Sequence, residues 1–306
     1  MLIAIILAPL ASLLWAITNH IDKYLVSKII KNGDIKGLLV FSSLVAGVIL
    51  SPISLIMSKF NIGIDLFSFG IILLSATTFL FATGLYFKAL NKNDASLVTI
   101  MFQLIPVFGY FLGLIFLNQA LTSKQILGGI VIIISSIAAT YEADSNKISK
   151  GKLTALLLMA GSSLLYAVYF LLFNITTVDN SFNVMTFWYQ MALAINGLLL
   201  VLFIKSFRKA FIDLIMNNTK KVLKFNLLNE VLNLIANIFV NYAITVAPLA
   251  LVLTLNGFQP FFVFLIGLVG TMLLPKVFNE NISKRSVIHK AVCITASIVG
   301  LAILYL

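Results

Sequence analysis

The chain has 306 residues, of which 61% are apolar and only 10% are charged. Its mean hydropathy of +1.09 lies far outside the range of water-soluble globular domains, which excludes a soluble enzyme or binding module. In a soluble protein, the net charge of +11 would suggest nucleic acid as a partner. Here we expect the lipid bilayer and no nucleic acid, because the basic residues lie in the connections between apolar segments.

Ten apolar windows follow one another along the chain. They cover residues 2–21, 37–57, 66–87, 95–117, 125–141, 153–175, 182–204, 225–246, 249–274 and 286–306. A helix that crosses the hydrocarbon core needs about 20 mostly apolar residues, and each window has roughly that length. The windows do not alternate polar and apolar residues as barrel strands would. They predict an all-α membrane protein of about ten transmembrane helices.

The lysines and arginines are distributed unevenly between the connections. If the windows alternate in direction, all of the 21 basic residues except Lys59 and Lys124 fall on one side. By the positive-inside rule that side is cytoplasmic, so both termini are predicted outside a cytoplasmic cell membrane. The longest connection, residues 205–224, has apolar residues at helical spacing among basic ones. It predicts an amphipathic helix on the inner membrane surface.

Two short patterns recur in the second half of the chain. Residues 11–16 (ASLLWA) resemble residues 162–167 (SSLLYA), at an offset of 151. Residues 95–98 followed by Pro106 resemble residues 249–252 followed by Pro260, at an offset of 154. The pattern predicts two five-helix repeats, residues 1–145 and 146–306, joined through a polar stretch. Five is an odd number, so the repeats are inverted in the membrane, a recurring design of secondary transporters.

A family resemblance rests on motifs in a fixed order. They are Trp15 after a run of small residues and leucines, residues 86–90 leading into residues 95–97, Pro106, and residues 121–125 before Gly128 and Gly129. Together they resemble an EamA-type member of the drug/metabolite transporter superfamily. The chain departs from the family at Gln119, where an acidic residue is often found. A second departure is the orientation: the lysine distribution predicts both termini outside, whereas family members are often drawn with both termini inside.

The eighth window holds a dense set of polar residues. They are Asn226, Asn229, Glu230, Asn233, Asn237 and Asn241. At about 100° per residue, Asn226, Glu230, Asn233 and Asn237 fall in one narrow stripe. Single asparagines often bind helices together, but a stripe that includes a carboxylate favours the wall of a polar cavity.

Three ionisable residues are candidates for proton or ion coupling. Glu230 is predicted two turns inside the end of its helix that faces the basic loops. His20 and Asp22 lie at the same end of the first helix, so the three groups can meet. A carboxylate facing an imidazole in a partly dry vestibule is how proton relays are built. The alternative is that Asp22 is an interface residue and that His20 only packs.

Further polar and aromatic residues are candidates for substrate binding. The family resemblance implies a substrate cavity beside Trp15 and its counterpart Tyr166, with Tyr169 one turn further on, although aromatic residues also suit plain helix packing. A proline inside a span frees a carbonyl and kinks the helix, commonly where a cavity is lined. The predicted substrate-binding set is Trp15, Asn19, Gln103, Tyr166, Tyr169, Asn233, Asn237, Asn256 and Gln259. Residues 256–260 are the expected breaking point in the second half, and Gln103, three residues before Pro106, is its expected partner in the first half.

Cysteine and histidine are scarce. Cys293 is the single cysteine, only two histidines are present, and no HExxH or GxSxG motif occurs. We therefore expect no metal, no cofactor and no catalytic residues.

The favoured function is a secondary transporter of an amino acid, amine, nucleoside or drug-like solute. The sequence is compatible with either a monomer or a homodimer. A flippase of a lipid or lipid-linked sugar is the alternative, while an intramembrane enzyme and a receptor are disfavoured.

Overall fold

The structure is a computed structural model that describes residues 2–30, 35–116, 122–142, 144, 147–179, 181–247, 252 and 255–305. The helices that coincide with the ten windows are α1 (Leu2–Ile29), α2 (Lys36–Met57), α3 (Leu66–Lys92), α4 (Ala95–Phe116), α5 (Ser123–Ala138), α6 (Lys150–Asp179), α7 (Phe182–Phe203), α8 (Lys205–Val246), α9 (Gln259–Leu273) and α10 (Lys284–Tyr305). Two strands, β1 (Tyr141–Glu142) and β2 (Lys147–Ile148), pair antiparallel between α5 and α6.

Eight of these helices contain stretches long and apolar enough to cross a membrane, whereas α5 and α9 are shorter apolar helices of 16 and 15 residues. The predicted class, an all-α membrane protein with several spans, is therefore confirmed. The count of ten spans stays a prediction. Gln119 and most of the second repeat motif, residues 249–251, lie outside the described residues.

Local sequence explains where several helices begin. The Asp65 carboxylate accepts a hydrogen bond from the Ser68 backbone N–H at 2.9 Å and caps α3. Thr122 and Gln125 form a reciprocal capping box at the start of α5, with distances of 2.9 and 3.3 Å. Both caps satisfy backbone N–H groups that the first turn of a helix leaves without partners.

Some helices are interrupted. α4 consists of Ala95–Phe102 and Leu104–Phe116, with a turn at Gln103 between them. Pro106 lies in the first turn of the second segment, where a missing N–H costs least. α1 ends in a π-helical turn, Leu25–Ile29, and α2 contains a second π-helical turn. Such interruptions release backbone groups from the regular helical ladder.

The predicted surface helix at residues 205–224 is not a separate element. It forms the first half of α8, a continuous helix of 42 residues that extends about 63 Å at 1.5 Å per residue. Neither proline nor glycine occurs between its ends, and it stops shortly before Pro248. In the basic half, Ala210 and Leu214 are buried and lie against Gly37 of α2. Glu230 consequently lies near the middle of the apolar stretch Lys220–Val240, not two turns from the helix end.

The helices pack in reciprocal pairs. α3 packs along α6 and against α7, and α8 packs along α1 and against α2. α4 packs against α6, and α9 packs against α1. Three further contacts join α2 to α7, α4 to α9 and α5 to α10. All of these contacts are preserved when each helix is exchanged with the helix five positions away.

Candidate functional site

A network of hydrogen bonds lies between α1, α3, α8 and α9. The Asn19 amide donates to the Tyr86 hydroxyl at 2.9 Å and accepts from the Gln259 amide at 2.8 Å. The Tyr86 hydroxyl in turn donates to Asp22 at 3.1 Å, and the Asn229 amide donates to the other Asp22 oxygen at 2.8 Å. We call Asn19, Asp22, Tyr86, Asn229 and Gln259 the central network. It links helices of the first half to helices of the second.

The interruption of α4 and the turn that precedes α9 meet beside this network. A turn at Gly257 and Phe258 precedes α9, and the Gln103 amide donates to the Gly257 carbonyl at 3.1 Å. The Ser12 hydroxyl donates to the Asn256 carbonyl at 3.1 Å. Side chains from neighbouring helices therefore satisfy carbonyls that the break releases, as buried irregular backbone in a membrane requires.

A matching bond occurs in the other half. The Ser163 hydroxyl of α6 donates to the Met101 carbonyl, just before the break in α4, at 3.4 Å. Ser12 and Ser163 are the same position of the repeated six-residue pattern. Each serine thus joins the broken helix of one half to the first helix of the other half.

Glu230 extends the site on α8. Its carboxylate is half-buried and lies close enough to Asp22, Tyr166 and Tyr189 to interact electrostatically with all three. In the part of the chain that the structure describes, this carboxylate forms no hydrogen bond and no ion pair. Glu230 directly follows Asn229, which bonds Asp22, so two carboxylates lie near each other between α1 and α8.

Aromatic rings continue from the central network along α3, α6 and α7. Ring centroids lie 4.9 Å apart for Tyr86 and Phe102, 5.8 Å for Phe102 and Tyr166, and 5.5 Å for Tyr166 and Phe79. Phe79 is also 5.3 Å from Tyr169 and 5.8 Å from Tyr189. The Tyr166 hydroxyl lies 2.9 Å from that of Thr83. We call these rings, from Tyr86 to Tyr189, the aromatic wall.

Four predicted residues lie elsewhere. The His20 ring contacts the Val263 carbonyl at 2.8 Å and Phe278 at 5.1 Å between centroids, and its electrostatic partner is Glu280. Trp15 packs on a small-residue cluster that includes Ala236. The exposed Asn237 amide donates to the Asn233 carbonyl of its own helix at 2.8 Å, and the half-buried Asn233 side chain makes no described contact with the network.

A second charged cluster lies at the end of the bundle that carries the lysine-rich connections. Lys290 of α10 is 4% exposed and forms ion pairs with Asp94 at 2.6 Å and with Glu280 at 2.7 Å. Glu280 also accepts from the Ser96 backbone N–H at 3.0 Å and from its hydroxyl at 2.5 Å. We call Asp94, Ser96, Glu280 and Lys290 the end cluster. It ties the connection between α9 and α10 to the start of α4.

Further bonds hold the same end together. The Lys23 ammonium donates to the carbonyls of Leu90 and Asn91, at 2.7 and 3.0 Å. Asp144 accepts from the Asn281 amide at 2.9 Å and from the Ser283 hydroxyl at 2.7 Å. These two donors hold the pKa of the Asp144 carboxyl below its ordinary value.

Sequence reasoning missed several of these residues. Tyr86 was part of a family motif but was not recognised as a site residue, and Asn229 was left out of the stripe. The end cluster was missed because its charges lie near predicted helix ends, where interface residues are common. A useful signal was available, since Asp94 and Glu280 are acidic residues among lysine-rich connections.

Together these features define an α-helical membrane protein with several spans and with polar groups buried between its helices. Residues 2–141 match the family model described as the EamA-like transporter family. Over these residues the chain is similar to this family of membrane transporters, which is part of the drug/metabolite transporter superfamily. The resemblance drawn from the sequence motifs is confirmed.

Two other comparisons were made. No curated protein matches the chain. A solved structure titled "Crystal structure of protein" is similar at 14% identity and a TM-score of 0.49, over 98% of this chain and 95% of that one.

Proposed function

We propose that this protein is a secondary transporter that moves a small metabolite by alternating access between two inverted halves, residues 1–145 and 146–306. Similarity to the EamA-like family supports a transporter of the drug/metabolite superfamily. The observation that carries the mechanism is the bond from Gln103 to Gly257, which joins two broken helices beside a buried polar network. Substrate sites of inverted-repeat transporters lie between the repeats, at broken helices near the membrane midplane.

The reciprocal packing supports the two halves. If each helix of the first half corresponds to the helix five positions later, the α3–α6 contact maps onto the α8–α1 contact. The α3–α7 contact then maps onto α8–α2, and α4–α6 maps onto α9–α1. Contacts between α2 and α7, α4 and α9, and α5 and α10 map onto themselves. This is the pattern that a pseudo-two-fold axis would generate.

The end cluster supports a closed arrangement at one end. The Lys290–Asp94 ion pair and the bonds from Ser96 to Glu280 connect elements of both halves, so the halves cannot separate there without breaking them. We propose that this end is cytoplasmic and that both termini lie outside, as the lysine distribution predicts. Opening toward the cytoplasm would then require the end cluster to come apart.

We assign proton or ion coupling to Asp22 and Glu230. Neighbouring carboxylates resist simultaneous ionisation, so one proton or one cation stabilises the pair. The groups that face this pair are Tyr86, Tyr166, Tyr189 and Asn229. His20, which contacts Val263 and faces Glu280, would act on the end cluster and not on this pair.

The experiment is a broad survey of metabolite uptake and efflux. Cells that overexpress the chain are compared with cells that express Glu230→Gln, and Asp213→Asn, an exposed carboxylate on the same helix, serves as the matched control. We expect a solute whose accumulation changes with the intact protein and with the control but not with Glu230→Gln. Lipid scrambling in reconstituted vesicles without solute transport would favour the flippase. The absence of both lipid scrambling and solute transport would contradict both proposed functions.

The lining is tested by specificity. We expect single changes at Asn19, Tyr166 and Gln259 to alter the relative rates for competing substrates, because lining residues contact the solute. Unchanged specificity in all three variants would assign these residues to packing.

A further inference from the structure

We infer that the central site binds an organic cation with N–H groups, namely a protonated amine with an apolar or aromatic portion. This inference rests on the proposed transport function and narrows its substrate class. It is carried by an excess of hydrogen-bond acceptors and negative charge around Asp22, next to a wall of aromatic rings.

Among the described groups of the site that lack a hydrogen-bond partner, the acceptors on Asn226, Asn229 and Glu230 outnumber the one hydroxyl, that of Tyr189, which could donate. Asp22 and Glu230 each contribute a carboxylate. Asn229 is 4% exposed, and its side-chain oxygen is buried with no hydrogen-bond donor among the described residues. Asn226, one turn earlier on α8, also has a buried oxygen without a donor. Leaving a buried acceptor without a donor is unfavourable, so the site favours a ligand that donates hydrogen bonds.

No cation of the described chain neutralises the two carboxylates. The ion pairs seen among the described residues both involve Lys290 in the end cluster. Lys23, which follows Asp22 directly, donates to the carbonyls of Leu90 and Asn91. Within the described ranges, the hydrogen bonds to Asp22 come from the neutral groups of Tyr86 and Asn229. A buried carboxylate pair without a counter-ion is unfavourable, and a cationic ligand would remove that cost.

The charge of the ligand follows from this arrangement. An anionic solute would add a further negative charge beside these carboxylates, in a region of low dielectric constant. A neutral solute would satisfy some acceptors but leave the carboxylates without compensation. A cation with N–H groups satisfies both needs, and intramembrane carboxylates often serve as the counter-ions of ligands.

The aromatic wall favours an organic cation over a metal ion. Tyr166 interacts electrostatically with both Asp22 and Glu230, so the wall begins beside the carboxylates. Its ring faces attract ammonium groups by cation–π interaction. The rings of Phe79, Tyr169 and Tyr189 continue the wall beyond Tyr166. This continuation would accommodate the apolar portion of the ligand, whereas a sodium ion would need only oxygen ligands.

The test uses three probes with one ring and different charge: benzylamine, benzyl alcohol and benzoate. Binding of each to the purified full-length protein is measured in detergent at neutral pH, with sodium chloride alone as a fourth condition. We expect benzylamine to bind and the alcohol and benzoate to bind at least about tenfold more weakly, the equivalent of about 1.4 kcal/mol. Glu230→Gln should weaken benzylamine binding about tenfold, while Asp213→Asn should leave it unchanged.

Asp22→Asn is the second variant, because Glu230→Gln could act by disturbing the fold. Size-exclusion profiles and melting temperatures of both variants are compared with those of the intact protein. Equal binding of benzoate or the alcohol, full benzylamine affinity in both folded variants, or a response to sodium alone would overturn the cation assignment. If a neutral or anionic metabolite were transported in the survey above, the cation class would fail while the transport function stood. Transport of no solute of any charge would contradict the transport function itself.

Discussion

The Gln103 amide donates a hydrogen bond to the Gly257 carbonyl at 3.1 Å, and the two positions are 154 residues apart. The repeat that begins at Ala95 and Leu249 has the same offset. In the two proposed repeats these would be equivalent positions, as expected of a contact on a pseudo-two-fold axis. The bond joins the interruption of α4 to the turn that precedes α9.

Removing this bond should destabilise the protein. In Gln103→Leu, the Gly257 carbonyl loses its donor in a buried position, and we expect a loss of about 1–3 kcal/mol and slower transport. Asn183→Leu is the control, because that amide bonds the Met57 carbonyl at an exposed site. Thermal melting in detergent checks the result. Equal melting temperatures for intact protein and Gln103→Leu would mean that the bond does not stabilise the break.

The Tyr86 hydroxyl should contribute more to stability and to benzylamine binding than its ring does. It accepts from Asn19 and donates to Asp22, so Tyr86→Phe removes two bonds while the aromatic contacts remain. We expect a lower melting temperature and at least about tenfold weaker benzylamine binding, because hydrogen bonds to charged groups contribute about 1.5–3 kcal/mol. Tyr24→Phe, on a half-buried ring outside the network, should behave like the intact protein. A similar loss in both variants would contradict this role.

The end cluster can be probed through the single native cysteine. Cys293 lies one turn after Lys290 and is 3% exposed. Breaking a buried ion pair by removing one partner costs about 3–5 kcal/mol, so Lys290→Met should open this end and make Cys293 react several-fold faster with N-ethylmaleimide.

Two comparison variants sharpen that result. Lys284→Met, an exposed lysine on the same helix, should leave the labelling rate unchanged. Adding Glu280→Gln to Lys290→Met should recover part of the slow labelling, because it removes the carboxylate left unpaired. Labelling as slow as in the intact protein would show that Lys290 does not keep this end closed.

The Asp144 carboxyl should titrate below the ordinary value of 3.8 because Ser283 and Asn281 donate to its charged form, which lowers its pKa. Since the folded pKa is lower than the unfolded one, the stabilisation is present above pH 3.8 and is lost as the pH falls through the folded pKa. Ser283→Ala should raise the pKa toward 3.8. Carbon-13 NMR of labelled aspartates measures it, with Ser181→Ala as control. A titration that Ser283→Ala does not move would exclude this cause.

The orientation can be tested with two lysines that are both exposed, Lys124 and Lys147. In a Cys293→Ser background, we expect an impermeant thiol reagent on intact cells to label Lys124→Cys. Lys147→Cys should be labelled only after the cells are opened. The reverse pattern would place the lysine-rich end outside and overturn the predicted topology.

The sequence alone determined the class of protein and the positions of its helices. Long apolar runs can bury their backbone polar groups in lipid only as helices, so composition was sufficient to predict them. The break before Gln259 followed from a glycine and a proline in one short stretch, which is also local information. The length of α8 was misjudged because basic residues suggested a surface element, while the absence of proline and glycine let the helix continue.

Only the tertiary structure decided which polar groups meet. Residues on one helical stripe share a direction, but sequence spacing does not say which neighbouring helix that direction faces. Asp22 therefore meets Tyr86 and Asn229, whereas His20, two residues away, contacts Val263. Lys290 pairs with Asp94, although the two residues are 196 positions apart in the sequence. Such pairs depend on the rotation and packing of whole helices, which no single segment of the chain encodes.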